Sequence, residues 1–393
     1  MLKRVVMNGF PLLADLVVGL VLFVGRHSLA SRGYDEATVG SIVLCYGFGY
    51  VVASLLMAKI VTPKRAKVEM LGALASIVLI CLLLANVQAL LLVQALYTLF
   101  PLVVSLYFNA FQIYMLDISN RDARPLASTV GHFTFSWSIG YAVGPFVSSL
   151  LKTVSTWPQI YYLAALISAM MGMVLYLFRP VEDVAQEGAA RPAPAHNDRP
   201  SLVVAAWVGL LAGWTGYNVI VIYWPVQAVQ MGVSDTVRGM VEFAFATAQA
   251  FSALALVSVK GWHHKPLWLT GLGSLALLAL ALFGTVSTPV LLALGGLLYG
   301  TYLGGMWSHM AYHSMLDEEK AVRRVALNET FVGICFLIAS PLSRLLHRAG
   351  TPFGPSYWRL AVVLAVGLGA QLLVAYSLLR RERVGAVEPA TTA

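Results

Sequence analysis

The stretch "SWSIGYAVGPFVSSLL" (residues 136–151) places Gly140, Gly144 and Pro145 inside a long apolar segment. Glycine and proline are the two poorest helix formers in water, so a helix that contains both needs support from its surroundings. Glycines four residues apart leave a smooth face on which the backbone of another helix can lie close. Proline removes one backbone hydrogen bond and bends the helix. The stretch therefore predicts a kinked, closely packed helix in a membrane.

The composition of the whole chain is that of a membrane protein. Of the 393 residues, 59% are hydrophobic and 11% are charged, and the mean hydropathy is +0.77. A soluble domain has about 25% charged residues. A membrane helix needs about 20 apolar residues, and windows of this kind predict an all-α membrane protein with twelve transmembrane helices, at residues 9–31, 38–61, 68–87, 89–116, 125–151, 157–178, 202–229, 235–259, 266–285, 289–315, 322–346 and 357–379.

Only one of the connecting segments has the composition of a linker. It reads "RPVEDVAQEGAARPAPAHNDRPS" (179–201) and is rich in proline, alanine and charged residues. Six windows precede this segment and six follow it. We therefore predict an N-terminal six-helix bundle at residues 1–178, a cytoplasmic linker at 179–201 and a C-terminal six-helix bundle at 202–393.

The distribution of lysine and arginine predicts the orientation in the membrane. If both termini are cytoplasmic, the cytoplasmic segments hold 19 of the 26 basic residues and the opposite side holds 7, as the positive-inside rule requires. We therefore expect an integral protein of the cell (inner) membrane with both termini in the cytoplasm. The basic residues form no run, so the pI of about 9.4 does not indicate nucleic-acid binding.

The first apolar window has an alternative interpretation as a cleaved signal peptide, because "MLKR" precedes it and "SLA" (28–30) follows it. Asp15 interrupts the apolar region and Arg26 lies just before the cleavage position, which favours a retained transmembrane helix. The three cysteines all fall inside predicted helices and lack the spacing of metal ligands. We predict neither a metal site nor a cofactor.

The two halves of the chain repeat short motifs. After the first predicted helix the chain reads "GYDEATVG" (33–40), and after the seventh it reads "GVSDTVRG" (232–239), 199 positions later. The fourth helix ends in "YMLD" (114–117) and the tenth in "SMLD" (314–317), 200 positions apart. Such a period of half the chain indicates an internal structural repeat.

Two sets of six helices, a charged central linker and paired motifs resemble the major facilitator superfamily. The element "GYAVGP" (140–145) is similar to the G-x-x-x-G-P element that antiporter members of this superfamily carry in the fifth helix. The resemblance implies two pseudo-symmetric bundles that rock against one another, with a substrate cavity between them near the middle of the membrane. It also implies that Gly140, Gly144 and Pro145 form a contact between the two bundles.

One signature of the superfamily is incomplete in this chain. Members carry a glycine, an aspartate and a basic cluster between helices two and three, whereas this region reads "LLMAKIVTPKRAKVEM" (55–70). Lys64, Arg65 and Lys67 retain the basic cluster, but the glycine and the aspartate are absent. The charge lock that these residues form on the cytoplasmic side is therefore not expected in its usual form.

Ionisable residues inside membrane helices are costly and are functional candidates. Asp15 and Arg26 lie three turns apart on one face of the first helix. Asp15 is the leading candidate for proton coupling, and Arg26 is a candidate for the substrate cavity. The alternative for Asp15 is a solvated or helix-capping position near the cytoplasm. Glu242 and Glu329 are further proton-coupling candidates or partners of an arginine, and an interhelix salt bridge is the simpler interpretation of Glu329.

The tenth helix contains "HMAYH" (309–313), which places His309 and His313 on one face. Two such histidines could relay protons, bind substrate or hold a metal, or they could be structural residues near the cytoplasmic rim. We keep both as proton-coupling candidates, and His309 also as a cavity candidate. The matching positions of the fourth helix, 200 residues earlier, are Asn109 and Ile113. Asn109 forms a polar stripe with Ser105 and Gln112, and Asn109 and Gln112 are further cavity candidates.

Aromatic residues are dense in the seventh and tenth helices. Trp214, Tyr217 and Asn218 lie near the middle of the seventh, and Tyr302 lies in the tenth. We expect these four residues to line an aromatic cavity. Such a cavity suits an amphipathic or cationic organic molecule, through stacking and cation–π contact.

These features predict a secondary active transporter that couples export of a small organic or amphipathic compound to protons. The export direction rests on the GYAVGP resemblance alone, and an uptake permease for a metabolite is the main alternative. A transporter-like sensor or a membrane-embedded enzyme is a further alternative, but the sequence contains no nucleophile–base pair, metal triad or nucleotide loop. We expect a non-enzymatic monomer whose partners are the lipid bilayer, a small-molecule substrate and protons, and not nucleic acid.

Overall fold

The computed structural model of the chain is predominantly helical in the residues that it describes. These are residues 2–60, 62, 65–121, 126–177, 201–259, 261–348 and 351–385. Side chains are described at the same residues except 2–8, 57–59, 112–121, 126–129, 318–319, 322 and 382–385. The linker predicted at 179–201 therefore lies outside the described residues apart from Ser201, and so does the side chain of Gln112.

Twelve long α helices and one short 3-10 turn (Trp262–His264) make up the described chain. The α helices are α1 (Leu2–Ser31), α2 (Glu36–Ile60), α3 (Ala66–Asn86), α4 (Leu90–Arg121), α5 (Leu126–Lys152), α6 (Trp157–Leu177), α7 (Val203–Gln230), α8 (Asp235–Val257), α9 (Pro266–Thr285), α10 (Pro289–Met315), α11 (Glu318–Leu346) and α12 (Gly354–Gly385). Eleven of them are long and apolar enough to cross a membrane, and the described residues contain no β-strand. The predicted all-α membrane fold is confirmed, and the helices follow the apolar windows closely.

The helix that is not a span candidate by composition is α5. Its described serine and threonine side chains are buried, among them Ser138, Ser148 and Ser149, because α5 packs chiefly against α1 and α8. Polar groups at membrane depth need partners inside the protein, and the amide of Gln249 in α8 donates a hydrogen bond to the Ser138 hydroxyl at 2.7 Å. The polar composition of α5 therefore reflects its burial between α1 and α8.

The turns before α2 and α8 share one backbone feature. Gly33 and Gly232 have positive φ angles of 82° and 66°, a conformation that glycine adopts at the lowest cost. Before α2, the Asp35 carboxylate accepts a hydrogen bond from the backbone N–H of Thr38 at 2.9 Å. Hydrogen bonds from Thr38 hold the pKa of Asp35 below its usual value. The repeated sequence motif thus corresponds to a repeated turn.

Helix packing follows the same repeat. In the first half α1 packs against α5, α2 against α4 and α3 against α6. In the second half the corresponding pairs, six helices later, are α7 with α11, α8 with α10 and α9 with α12. The two halves meet where α5 packs against α8 and α2 against α11. These two contacts also map onto one another, so each half contributes the same two surfaces to the other.

The glycines of the GYAVGP element bring α5 against α1. A Cβ atom added to Gly140 would overlap the carbonyl oxygen of Leu12, and one added to Gly144 would lie 2.6 Å from the backbone of Gly19. Both helices belong to the first half of the chain, so the expectation of a contact between the bundles was wrong for these glycines. Their shared face points toward α1, whereas α8 meets a different face of α5.

Within this element, the residue that follows the two glycines contacts the second half. A Cβ atom added to Gly239 of α8 would lie 2.6 Å from the carbonyl oxygen of Pro145 and against the side chain of Ser149. Proline at position i cannot donate to the carbonyl at i−4, and it tilts the helix at this point. The GYAVGP element therefore serves two contacts, with its glycines on α1 and its proline on α8.

We expect Gly144→Ala to lower the free energy of unfolding by about 1–3 kcal/mol, because the added methyl group overpacks a contact between two backbones. The measurement is the thermal unfolding temperature of the purified protein in detergent. Gly72→Ala in α3 is the matched control, since a Cβ atom there meets no atom within 4 Å and alanine is the better helix former. Equal thermal stability of the two variants would contradict the close contact.

Candidate functional site

A cavity lies between helices of the two halves. Its space amounts to about 910 Å³, the part open to solvent included. Helices α1, α2, α4 and α5 line it from the first half, and α7, α10 and α11 line it from the second. A ligand in this cavity would contact both halves of the chain at once.

The cavity lies toward one end of the helix array. Its lining residues include Asp15 in the first half of α1, Glu329 in the first half of α11 and Met315 at the end of α10. We call the end where α1 and α11 begin the near end, and the end where α1 finishes the far end. The helices are thus separated by a cavity toward the near end.

Aromatic side chains form much of the cavity wall. Trp307 of α10 packs edge-on against Trp137 of α5 and against Trp214 of α7, with ring centroids 5.2 Å apart in each pair. Phe336 of α11 continues the row, 6.1 Å from Trp214. Such rings can stack on an aromatic ligand or contact a cation through their faces. The row crosses from one half to the other, because Trp137 belongs to the first half and the other three to the second.

Two carboxylic acids lie on the cavity wall. Asp15 is buried, and none of the described residues forms a hydrogen bond or ion pair with it. Glu329 accepts a hydrogen bond from the hydroxyl of Tyr50 at 2.5 Å, which joins α11 to α2. The described lining residues include no lysine, arginine or histidine. An ionised carboxylate away from water needs a proton or a cation, so the cavity is suited to receive one or the other.

The far end is closed by a buried ionic cluster between α1 and α8. The guanidinium of Arg26 donates to one oxygen of Glu242 at 2.8 Å, and Nε2 of His27 lies 2.9 Å from the other oxygen. All three residues are at most 2% exposed. Arg26 also donates through Nε to the carbonyl oxygen of Leu22 at 3.0 Å. Consecutive residues of α1 therefore hold both oxygens of one carboxylate from the other half.

Two weaker contacts add to this closure. Arg238 of α8 donates to the hydroxyl of Ser31 at 3.3 Å, and Arg344 of α11 donates to the carbonyl oxygen of Ala37 at 3.0 Å. Both arginines reach from the second half to the first. Exposed contacts of this type contribute little to stability. In a buried pair, by contrast, loss of one partner leaves an uncompensated charge and costs about 3–5 kcal/mol.

Residues 12–316 match the sequence profile of the Major Facilitator Superfamily. The chain belongs to this superfamily. The crystal structure of the nucleoside transporter NupG is similar, with a TM-score of 0.65 and 15% sequence identity over 97% of this chain and 99% of that chain. A NupG variant with an aspartate-to-alanine substitution has a TM-score of 0.61 and 11% identity over 96% and 99% of the two chains. No curated protein matches the chain in sequence.

Membership of the Major Facilitator Superfamily makes the chain a multi-pass membrane transporter and not an enzyme. Among the residues singled out in the sequence, Asp15, Glu329 and Trp214 line the transporter's cavity. Arg26 and Glu242 lie instead in the far-end cluster. The structure therefore separates the charged candidates into a cavity group and a closure group.

The remaining aromatic candidates, Tyr217 and Tyr302, pack behind the residues that line the cavity. Tyr217 stacks on Trp214 with ring centroids 4.7 Å apart. The hydroxyl of Tyr302 donates to the carbonyl oxygen of Gly209 at 3.3 Å, which ties α10 to α7. Neither tyrosine is among the described lining residues. Both are buried and orient helices that carry lining residues.

The amide candidates bond within their own helices. The Asn218 amide donates to the carbonyl oxygen of Trp214 at 2.8 Å. The Asn109 amide donates to the backbone carbonyl of Ser105 at 2.8 Å and to its hydroxyl at 3.1 Å. Neither amide belongs to the described cavity wall.

The two histidines of HMAYH hold the turn between α8 and α9. Nε2 of His309 and Nε2 of His313 each lie 3.0 Å from the carbonyl oxygen of His263. A carbonyl only accepts, so Nε2 carries the hydrogen in both rings. Nδ1 of His313 accepts from the backbone N–H of Leu202 at 3.2 Å. Burial, with His313 and His264 nearby, lowers the pKa of His263 to about 3, so this ring is neutral at pH 7.

The described residues hold no group of three or more His, Cys, Asp or Glu side chains placed to bind a metal. The histidine pair is better explained by its hydrogen bonds. It connects the start of α7 and the 3-10 turn to the end of α10. His309 and His313 are not among the described lining residues of the cavity.

Sequence reasoning did not assign roles to four residues of these sites. Trp137 stands in the quoted stretch of α5, and Asn328 directly precedes Glu329. His27 directly follows Arg26, and Tyr50 lies in the second predicted helix. A buried titratable residue beside Arg26 was a usable signal for His27. The other three carry no local pattern, because their roles arise from helices that are distant in sequence.

We expect Glu242→Gln to open the far end, because Arg26 would lose its counter-charge in a buried position. Ser340, a buried residue of α11 that faces Gly40 of α2, serves as the reporter. In protein whose native cysteines are replaced by alanine, Ser340→Cys should react with a thiol reagent about tenfold faster or more when Glu242→Gln is added.

Asp235→Asn is the matched control for this opening. Asp235 is also an acidic residue of α8 paired with an arginine, but its pair with Arg238 lies within one helix and is partly exposed. Its loss should leave the labelling rate unchanged. Slow labelling in the Glu242→Gln protein would show that other contacts keep the far end closed.

Proposed function

We propose that this transporter is a proton-coupled secondary carrier that exports a small organic, amphipathic compound. The observation that carries the proposal is the cavity shared by the two halves, with a row of tryptophans and two carboxylic acids on its wall. Aromatic rings favour the apolar part of such a compound and the acids favour its polar part. Both sides of the cavity come from one chain, which supports a monomer as the working unit.

The proposed transport cycle alternates closure between the near end and the far end of the helix array. In the described arrangement the far end is closed by Arg26, His27 and Glu242, and the cavity lies toward the near end. Rocking of the two halves would close the near end and separate α1 from α8 at the far end. The cluster therefore has to break and re-form once in every cycle. The domains of this motion are the predicted bundles at 1–178 and 202–393, joined by the linker.

Proton coupling is assigned to Asp15. It is the buried carboxylic acid of the cavity that has no hydrogen-bond partner among the described residues. A carboxylate in this position can be neutralised by a proton or by the polar end of the cargo, and binding of one then disfavours the other. Such competition exchanges cargo for protons across the membrane. The export direction rests on the similarity of GYAVGP to the antiporter element.

A second candidate function is an uptake permease for a metabolite of the nucleoside type. The similar fold is that of a nucleoside transporter, and at 15% identity the likeness concerns the fold alone. Aromatic rings that stack on a base, with the polar side chains of Asn328 and Glu329 beside them, are compatible with such a cargo. Saturable nucleoside uptake in cells that express the chain would favour this candidate over export.

The proposed orientation has twelve spans with the near end in the cytoplasm. Lys265 precedes α9 and Ser287 follows it, and both are exposed. In a chain without other cysteines, Ser287→Cys should react with a membrane-impermeant maleimide in intact cells, since the positive-inside rule places it outside. Lys265→Cys should react only after the cells are broken. The reverse pattern would overturn the orientation.

We expect Asp15→Asn to abolish accumulation of substrate against its gradient, because the amide keeps the size of the side chain but cannot exchange a proton. Counterflow at saturating substrate should persist, because exchange needs no net proton movement. A thermal-shift screen supplies the substrate, since a ligand at 100 times its Kd stabilises by about 2.7 kcal/mol. The measurement is pH-gradient-driven transport and counterflow in the same proteoliposomes.

Asp35→Asn is the control for this substitution. Asp35 is an exposed carboxylate in the turn before α2, and an asparagine oxygen can replace it as acceptor from Thr38. Its variant should accumulate substrate normally. If Asp15→Asn vesicles also concentrate substrate under a pH gradient, the proton passes through another residue.

A further inference from the structure

The side chain of Asn328 is held in one orientation on the cavity wall. Its Oδ1 accepts a hydrogen bond from Nε1 of Trp207 at 2.7 Å and another from the hydroxyl of Ser314 at 2.9 Å. An indole N–H can only donate, so the amide atom that it meets must be the oxygen. The indole N–H of Trp207 therefore fixes the positions of the oxygen and nitrogen atoms of the Asn328 amide. The NH₂ group points away from Trp207 and Ser314.

The NH₂ group of Asn328 is available to the cavity. No described residue accepts a hydrogen bond from it, and it is not among the fully buried atoms that lack a partner. The residue as a whole is 4% exposed and is part of the cavity lining. The cavity is the open space that this residue lines, so we place the accessible donor toward it. The wall thus contains a fixed hydrogen-bond donor whose position is set by two helices, α7 and α10.

The indole N–H groups of two other wall residues, Trp214 and Trp307, are fully buried and have no hydrogen-bond partner among the described residues. Because these nitrogen atoms have no accessible surface, a ligand in the cavity does not reach them. The Asn328 NH₂ group differs from them in being accessible, so it can donate to a ligand.

A buried acid of the cavity sets the charge of the ligand. Asp15 belongs to the lining and has no hydrogen-bond or ion-pair partner among the described residues, and the described lining carries no basic side chain. An anionic ligand would meet this carboxylate in a low-dielectric site, where repulsion is strong. A cationic group would be attracted by the carboxylate and by the faces of the tryptophan rings.

We infer that the cargo is an aromatic organic cation that also carries a neutral hydrogen-bond acceptor, and that Asn328 is the residue that recognises the acceptor. This inference rests on the proposed transport function and specifies its substrate class. The Asp15 carboxylate and the tryptophan row bind the cationic and aromatic parts. The Asn328 amide donates to a carbonyl, ether or hydroxyl oxygen of the same molecule.

Three probes of one shape separate these features. Benzoylcholine carries a phenyl ring, an ester and a quaternary ammonium group. Trimethyl(4-phenylbutyl)ammonium has the same length and charge but no ester. 3,3-Dimethylbutyl benzoate keeps the ester but replaces the charged nitrogen with carbon. Dissociation constants are measured by thermal shift and calorimetry on the purified full chain.

We expect the wild-type protein to bind benzoylcholine at least about tenfold more tightly than the neutral ester, since the charge is lost. It should bind benzoylcholine about fivefold more tightly than the ester-free cation, which corresponds to one hydrogen bond. Asp15→Asn should reduce the first ratio and preserve the second, because the amide keeps the size of the side chain and lacks its charge.

Asn328→Asp tests the donor directly. The carboxylate keeps an oxygen for Trp207 and Ser314 but presents an acceptor to the cavity in place of the NH₂ group. The preference for the ester over the ester-free cation should disappear or reverse, whatever happens to the overall affinity for cations. Asn86→Asp, at the exposed end of α3, is the control and should keep the wild-type ratio.

A second variant covers the case in which Asn328→Asp fails to fold. Trp207→Phe removes the bond that orients the amide and keeps the aromatic ring against Phe331. It should lower the preference for the ester while leaving the preference for charge intact. An unchanged ester preference in both variants, or no binding of the cationic probes to wild-type protein, would overturn the inference. Proton-driven transport of a different compound would then still support the proposed function.

Discussion

The buried ion pair between Arg26 of α1 and Glu242 of α8 is the interaction on which the described arrangement depends. Neither lipid nor water is available at this depth to solvate a charge, so each group requires the other. The second oxygen of the carboxylate lies 2.9 Å from Nε2 of His27, so both oxygens contact side chains of α1. Because the pair holds the halves together at the far end, the space between them lies toward the near end.

Close backbone contacts make this pairing geometrically possible. Gly144 lets α5 lie directly on α1, and Gly239 lets α8 lie directly on α5. The three helices therefore form one continuous layer that crosses from the first half to the second. The same layer carries Asp15 and Trp137 into the cavity. The layer formed by α1, α5 and α8 therefore both packs the far end and places Asp15 and Trp137 in the cavity toward the near end.

Polar groups of the transporter differ in how far their hydrogen bonds are satisfied. The histidine pair of α10 shares a backbone carbonyl and His313 also accepts from Leu202, so it stabilises a turn, while Nδ1 of His309 has no partner among the described residues. The NH₂ group of Asn328, by contrast, has no acceptor among the described residues and keeps accessible surface. Because the described residues satisfy only the oxygen of this amide, a ligand in the cavity could accept a hydrogen bond from its nitrogen.

The sequence by itself determined the twelve helices, their order and the repeat of the two halves, because helix length and hydropathy are properties of consecutive residues. It also singled out Asp15, since a charge within an apolar window is visible locally. Only the tertiary structure decided that Arg26 meets Glu242, 216 residues away, and that Gly144 faces α1 instead of the second half. Helical periodicity shows which residues share a face. It does not show which neighbour that face meets, because the neighbour is selected by the packing of helices that are far apart in the chain.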